Sequence, residues 1–374
     1  MSVKPRIRAV GTAVPPYRSS QGEIYAMVKE IWPAVEKSVP RDGSPRVGRN
    51  HDLAYIFDAT QVRHRHSAVD FATFYRAPRS TGERMAEFAA SAPALGRCAL
   101  EKAFAGLPGA RIDVETPGSA IDDFIVVSCT GYVSPGLDVL LAHDLGMPPA
   151  VRRLSVGHMG CFGALVGLRQ ARAALAINPA ATVALLCVEL CSLHFAPTTS
   201  AEELAPLALF GDAAGALVLS NASSEDGGGS GPVVVDAYCA AEFAAVDQMT
   251  WTVGDEGFVM TLSPRVPVIL RRVITGAVEN LLGPHGLAVS DVAHWLIHPG
   301  GPSILDAIQG RLALSDAQME PSWHILHAYG NCSSPTVLLI LEHLLRSGTT
   351  TPGEWGVMMA FGPGLTLELC LLQF

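Results

Sequence analysis

Charge is scarce in this chain: only 16% of its 374 residues are Asp, Glu, Lys or Arg, against about 25% in an average soluble protein. Together with an apolar content of 49%, this excludes an intrinsically disordered chain, which needs low hydrophobicity and high net charge. The shortage of charge also points to much buried surface, some of it between subunits. No dense run of Lys or Arg is present, and 35 acidic residues outnumber 26 basic ones for a formal charge of −9. Nucleic acid is therefore not an expected partner. Long apolar runs are missing as well: Val183–Val188 and Val337–Leu341 fall far short of the ~18 residues that span a bilayer, so no membrane span is expected. The first residues, Met1 to Val10, have neither the apolar stretch nor the small-residue cleavage site of a signal peptide, and a cytoplasmic location is expected. Cys-x-x-Cys pairs are absent too. The eight cysteines (98, 129, 161, 187, 191, 239, 332 and 370) are scattered, and the Cys187/Cys191 spacing has no His or Cys partners at metal-ligand distance. No metal site is expected, and most of the thiols are expected to be free and buried.

What is present is an alternation of strand-like and helix-like stretches, which argues for an α/β fold. Residues 121–128 and 182–189 read as buried strands, the latter a continuous apolar run of the kind covered on both faces. Leu137–Leu145 has helical spacing and stops at Gly146. At ~150 residues per domain the length allows two to three domains. The Gly/Ser-rich segment Ser223–Pro232 is the one flexible-looking stretch and divides the chain into halves, 1–222 and 233–374. The second half repeats the alternation, with a helix expected over Val266–Leu282, a strand ending in His298, a helix from near Ser303, and two apolar strands around Phe361-Gly362-Pro363-Gly364. Two similar halves are compatible with an ancient duplication.

Three residues could carry chemistry. Cys161, in Gly160-Cys161-Phe162-Gly163, precedes an apolar helix over residues 165–176. The unpaired amides and positive dipole of a helix start favour an anion, so this thiol is expected to ionise more readily than the others. His298 is delivered by an apolar strand to the turn Pro299-Gly300-Gly301-Pro302, where glycines admit a ligand close to the backbone; taken alone it is equally a hydrogen-bonded buried histidine. Asn331 lies in the polar knot Tyr329–Pro335 ahead of an apolar helix, and alone it reads first as a helix cap. Together, a thiolate, an imidazole and an amide are the parts needed for acyl transfer through a covalent thioester, with two hydrogen-bond donors for a developing enolate oxygen.

The stretches Gly160–Gly163, Leu209-Phe210-Gly211-Asp212, His298–Pro302, Tyr329–Ser334, and Glu354-Trp355-Gly356 through Phe361–Leu365 come in one order over nearly the whole chain. In these motifs the chain resembles the type III polyketide synthases, the chalcone synthase family. The resemblance implies a thiolase-like fold of layered αβαβα type with two similar halves, acting as a homodimer on CoA thioesters without metal or prosthetic group. It implies that Cys161 carries the acyl-CoA starter and the growing chain. His298 and Asn331 would bind the thioester carbonyl, promote malonyl-CoA decarboxylation and hold the resulting enolate. Phe210 matches an aromatic gatekeeper, although a core Phe beside a Gly-Asp turn would look the same. The remaining pocket positions implied are Cys129, Thr130, His194, Met260, Gly300, Gly301 and Ser333.

Several positions depart from the plant-type pattern: Cys129 and Thr130 in place of Thr and Ser, His194 at a cavity Thr position, Met260 for a second gatekeeper Phe, and Ser134 where a Met crosses the dimer interface. Basic residues for the CoA phosphates are not matched. Arg63 and Arg65 could substitute, but a solvated basic turn is the preferred reading. Glu189 is read as structural. The nearest rival, a ketoacyl-ACP synthase, normally reads His-Gln-Ala-Asn at the histidine and lacks the Gly-Pro-Gly turn. A non-catalytic scaffold would be expected to lose one of the three reactive side chains, and all are present. The starter, the number of extensions and the mode of cyclisation are not written in any motif. A long-chain starter giving an alkylpyrone is the preferred product.

Overall fold

Nine strands hold the molecule together: β1 (Pro5–Ala13), β2 (Asp123–Ser128), β3 (Arg152–Gly157), β4 (Val183–Leu190), β5 (Asp212–Asn221), β6 (Val233–Ala241), β7 (Val292–Ile297), β8 (Trp355–Gly362) and β9 (Thr366–Gln373). They come from a computed structural model that describes residues 4–38, 53–107, 116–198, 200–222 and 231–374. The strands pair in the order β7-β8-β9-β6-β1-β5-β4-β2-β3. Between β6 and β1 the link is a single register pair, Val233 with Arg6. The array is thus a five-stranded and a four-stranded sheet joined at one point.

The two sheets repeat one pattern. In the first, β1 and β5 are antiparallel, β5 and β4 antiparallel, and β4 and β2 parallel. In the second, β6 and β9 are antiparallel, β9 and β8 antiparallel, and β8 and β7 parallel. The first sheet adds β3 as a parallel edge beyond β2. The expected pair of similar α/β halves is therefore present strand by strand. Residues 223–230 of the Gly/Ser-rich segment read as the boundary lie outside the described residues.

Strand periodicity explains the layering, because successive side chains point to opposite faces. Along β4, Val183, Leu185 and Cys187 face one apolar cluster, while Ala184, Leu186 and Val188 face another. On β8, Met358 and Ala360 join the first of these clusters, and Val357, Met359 and Phe361 join a third. The shared cluster holds the helices Gly163–Ile177 and Thr336–Ser347 between the sheets. The helix Thr81–Ala105 covers the outer face of the first sheet. Val266–Leu282 and Pro302–Leu312 cover the outer face of the second. Five layers result, helix, sheet, helix, sheet, helix, with both sheets covered on both sides. That is why the strands read as near-continuous apolar runs.

Element ends agree closely with the sequence reading, and the helix over Val266–Leu282 has the expected bounds. Among the described residues no helix is long and apolar enough to cross a membrane.

Candidate active site

Each of the three reactive residues sits just past an element that fixes its backbone. Cys161 lies in a tight 3-10 turn, Gly160–Phe162, directly before the central helix Gly163–Ile177. Gly160 has φ +73°, and a Cβ there would stand 2.8 Å from Pro363 Cδ, so only glycine lets the Phe361–Leu365 turn close over the Cys161 loop. His298 follows β7, and its amide donates to the Met359 carbonyl at 2.9 Å, one residue beyond the last β7–β8 pair. The Gly300 amide folds back onto the His298 carbonyl at 3.0 Å, and Gly301, at φ +142°, starts the helix Pro302–Leu312. Asn331 lies between the helices Asp316–Tyr329 and Thr336–Ser347. Its amide donates to Leu209 O at 3.0 Å, and its carbonyl accepts from Gly211 N at 2.9 Å. Phe210 and Asn331 therefore share one β-bridge, which sets the Phe210 ring and the Asn331 amide together.

The side chains converge. Cys161, His298 and Asn331 line one small cavity of about 280 Å³, with Phe210, Met260 and Gly300 also in its wall. Asn331 Oδ1 accepts from the Ser333 amide at 2.8 Å, which leaves Nδ2 free to donate toward Cys161 Sγ, 3.9 Å away. His298 is 1% exposed, yet among the described residues neither ring nitrogen has a hydrogen-bond partner. A buried, unpaired polar group is costly, and here two such atoms face a cavity that can admit one. Burial alone pushes His298 down to about 3, so the ring is neutral at ordinary pH. Burial also pushes the Cys161 thiol up to about 12, against smaller lowering contributions from Ser333 and Asn331. The readily ionised thiol expected from the helix start is not what the closed site holds. Desolvation is the largest influence on this thiol, and burial likewise drives Cys129, Cys187, Cys191 and Cys332 well above the ordinary range.

A second, larger cavity encloses about 790 Å³ out to its open mouth and shares Cys161, Phe210 and Met260 with the first. These three side chains stand between the two spaces. Cys129, Thr130, His194 and Ser333 line the larger one, together with Trp251, Phe258, Glu203 and Glu256. Cys129 Sγ is 3.7 Å from Ser333 Oγ. His194 and Thr130 are already engaged. His194 Nδ1 accepts from Phe258 N at 3.0 Å, so Nε2 carries the proton and donates to Thr130 O at 2.6 Å. Burial lowers this ring to about 4, and it stacks on Phe258 at 4.4 Å. The Thr130 hydroxyl donates to Glu189 at 2.8 Å and accepts from Leu190 N at 2.9 Å. His194 and Thr130 thus offer the cavity ring faces and carbon, not free donors. Glu189, fully buried, also accepts from Cys129 N at 3.0 Å and Ser334 Oγ at 2.7 Å. It ties the end of β2 to the Asn331 turn, the structural role read for it.

Arg65 corrects the sequence reading. It is 1% exposed and is neither a solvated turn residue nor available to a CoA phosphate. Its Nη1 donates to Leu207 O at 2.7 Å and Phe210 O at 2.8 Å, beneath the gatekeeper. Asp212, buried nearby, favours its charged form but is itself pushed up to about 7 by burial, and it accepts from Ser192 N at 2.7 Å and Ala68 N at 2.8 Å. The alternation along His64–Ser67, in which Arg65 and Ser67 are buried and His64 and His66 are not, is the signal that could have revealed it. Arg63 is exposed. The hairpin Met249–Gly254 and Gly257–Leu262 was also missed as an element. It roofs the larger cavity through Trp251, whose Nε1 donates to Cys129 O at 2.8 Å.

Comparison with known proteins gives one picture. Residues 44–223 match the family model "Chalcone and stilbene synthases, N-terminal domain", and residues 244–374 match its C-terminal counterpart. A 1,3,6,8-tetrahydroxynaphthalene synthase of Streptomyces peucetius subsp. caesius is 32% identical over 372 residues, 98% of this chain and 93% of that one. An alpha-pyrone synthesis polyketide synthase-like protein of Mycobacterium tuberculosis is 28% identical over 86% of this chain and 82% of its own. The crystal structure of PKS-I from the brown alga Ectocarpus siliculosus superposes with a TM-score of 0.89 at 27% identity, covering 100% of this chain and 99% of the other.

Proposed function

The chain belongs to the chalcone and stilbene synthase family of type III polyketide synthases, and from that membership we propose a catalytic scheme built on Cys161, His298 and Asn331. The Cys161 sulfur attacks the carbonyl of an acyl-CoA starter while its proton passes to His298 and on to the departing CoA sulfur, so that CoA leaves as the thiol and the imidazole is neutral again. Malonyl-CoA then binds with its thioester oxygen against a ring N–H of His298 and Nδ2 of Asn331. Its carbon–carboxylate bond breaks, CO₂ leaves, and the electron pair becomes an enolate held by those two donors. The enolate carbon attacks the acyl-Cys161 carbonyl, the C–S bond breaks to free the Cys161 thiolate, and that thiolate attacks the resulting β-ketoacyl-CoA, whose CoA takes up a proton and leaves, so that the lengthened chain is back on the sulfur for the next round. Donors aimed at an oxygen that becomes anionic act on the transition state more than on the ground state. No metal or prosthetic group takes part.

The observation that carries this reading is the buried imidazole with two unpaired nitrogens in one cavity with the thiol and the amide. The test is a malonyl-CoA assay with a panel of short- and long-chain acyl-CoA starters, read by mass spectrometry. Cys161→Ala is expected to abolish polyketide formation, and His298→Ala to reduce malonyl-CoA decarboxylation strongly. Normal product yield from the Cys161 variant would exclude the covalent route. Activity with malonyl-ACP but not malonyl-CoA would favour a ketoacyl-ACP synthase.

A long aliphatic starter closing to a pyrone is the favoured product, in keeping with a larger cavity walled mostly by apolar groups such as Phe195, Leu207 and Phe258. A homodimer fits the edge of β3, beyond which no further strand pairs among the described residues: Leu154 on that strand is 41% exposed, and Tyr132 and Met159 elsewhere in the first half are exposed as well. All eight cysteines are free thiols, in keeping with a cytoplasmic enzyme.

A further inference from the structure

The helices Asp316–Tyr329 and Thr336–Ser347 form a hairpin whose connecting turn carries Asn331 and Ser333. About two helical turns away from that connection, a second cluster joins the same helices. Glu320 and His324 are four residues apart and therefore share one face of the first helix, while His343 comes from the second. Glu320 Oε1 lies 3.8 Å from His324 Nδ1, and Glu320 Oε2 lies 3.4 Å from His343 Nε2. The two imidazoles stack at 4.0 Å between centroids, 12° from parallel, an arrangement in which they cannot hydrogen-bond to each other. One ligand atom from each residue lies within 4.8 Å of the others. Among the described residues no Lys or Arg pairs with Glu320.

We propose that Glu320, His324 and His343 bind one divalent transition-metal ion, of the Zn²⁺, Co²⁺ or Ni²⁺ class, and clasp the two helices that frame the Asn331 turn. Two imidazoles and one carboxylate select these ions over Mg²⁺ and Ca²⁺, which prefer all-oxygen shells. Bond lengths of about 2.0–2.2 Å put tetrahedral ligand atoms roughly 3.3–3.5 Å apart, so the cluster closes by little more than an ångström. The stacked rings hold their lone pairs in nearly parallel planes, and at least one must turn about its Cβ–Cγ bond. The room exists, since the side chains of Glu320, His324 and His343 are 57%, 46% and 28% exposed. Three protein ligands leave a fourth position for water or a small ligand, and it borders a cleft whose wall includes His294, Gln318, Glu320 and His343. The site lies apart from the proposed reaction and does not depend on it.

The test uses untagged, chelator-treated, full-length protein titrated with CoCl₂ and followed by visible absorption, and with ZnCl₂ by calorimetry. One ion per chain is expected, with weak nitrogen/oxygen-type cobalt bands and no strong thiolate charge transfer. His324→Ala and His343→Ala are each expected to weaken binding about tenfold or more, and the metal-induced rise in melting temperature should vanish in the double variant. His324 is exposed and His343 half-buried, and circular dichroism of each variant checks that it folds. Binding that is unchanged in the double variant, thiolate-type cobalt bands, or no saturable one-to-one binding below about 100 µM would each overturn the proposal.

Discussion

Replacing His298 by glutamine tests whether the imidazole is a neutral, unpartnered group. In the unfolded chain a histidine titrates near 6.5, whereas burial holds folded His298 at about 3. Because the folded value is depressed, the associated stability is complete above pH 6.5 and is lost as the pH falls from there toward 3, where the unfolded chain takes up a proton that the folded one refuses. Between pH 7 and pH 5 this linkage removes about 2 kcal/mol, and by pH 4 about 3 kcal/mol. His194, held at about 4 by burial, contributes a further ~2 kcal/mol between pH 7 and pH 5 by the same reasoning. The glutamine side chain does not titrate, so the His298→Gln variant should lose about 2 kcal/mol less than the native chain over that interval. Urea unfolding at both pH values and one protein concentration measures the difference. Equal losses in the two proteins, within about 0.5 kcal/mol, would mean that the ring has solvent or a proton acceptor beside it. The unpaired imidazole would then no longer mark the substrate oxygen site.

Arg65→Met should destabilise the chain by about 2–5 kcal/mol, because it leaves the buried Leu207 and Phe210 carbonyls without their donor, as measured by the shift in denaturant midpoint. Met260→Phe replaces a flexible side chain between the two cavities with a rigid one and should shift products from long-chain toward short-chain starters, read as a ratio by mass spectrometry. Leu154→Lys on the edge of β3 places a charge at the proposed dimer contact and should give a monomer by light scattering with unchanged circular dichroism. A native-like dimer from that variant would move the interface elsewhere.

The fold was legible because its signals are local. Continuous apolar runs marked strands covered on both faces, and turn residues marked their ends, so β2, β4, β7, β8 and β9 were all expected close to where they lie. The places of the three candidate residues were legible for the same reason, since each stands at a strand end or ahead of a helix where Gly and Pro announce a turn. What was not legible depends on pairings across the chain. The segment from Val62 to His66 looked like a basic surface turn, and nothing local says that Arg65 is covered or that Asp212 is buried nearby. Likewise the engagement of His194 and Thr130 depends on Phe258 and Glu189 arriving from other elements. The residue types at these positions suggested polar pocket walls, and the hydrogen bonds show where that polarity is used.

The duplicated topology gives the site its form. β2 corresponds to β7, and the helix Gly163–Ile177 corresponds to Thr336–Ser347, so each half presents a strand-end residue and a residue ahead of a central helix: Cys129 and Cys161 from the first, His298 and Asn331 from the second. The two central helices therefore begin at the same seam, and both positive ends favour an anion there. Their magnitude is nevertheless too small to set the resting state. A helix end contributes about 0.3–1 kcal/mol, or up to ~2 in favourable partly buried geometry, whereas moving the thiol from its ordinary value of 9.0 to about 12 corresponds to roughly 4 kcal/mol. Moving the proton to His298 is opposed as well, because that ring too is held neutral by burial. The resting pair is thus thiol and neutral imidazole. In the proposed reaction the thiolate forms only as the starter carbonyl arrives, when the charge passes to an oxygen facing the Asn331 amide and the imidazolium gains an anion beside it. The seam holds its donors ready without holding a reactive anion, and water in the closed cavity meets a thiol that does not attack.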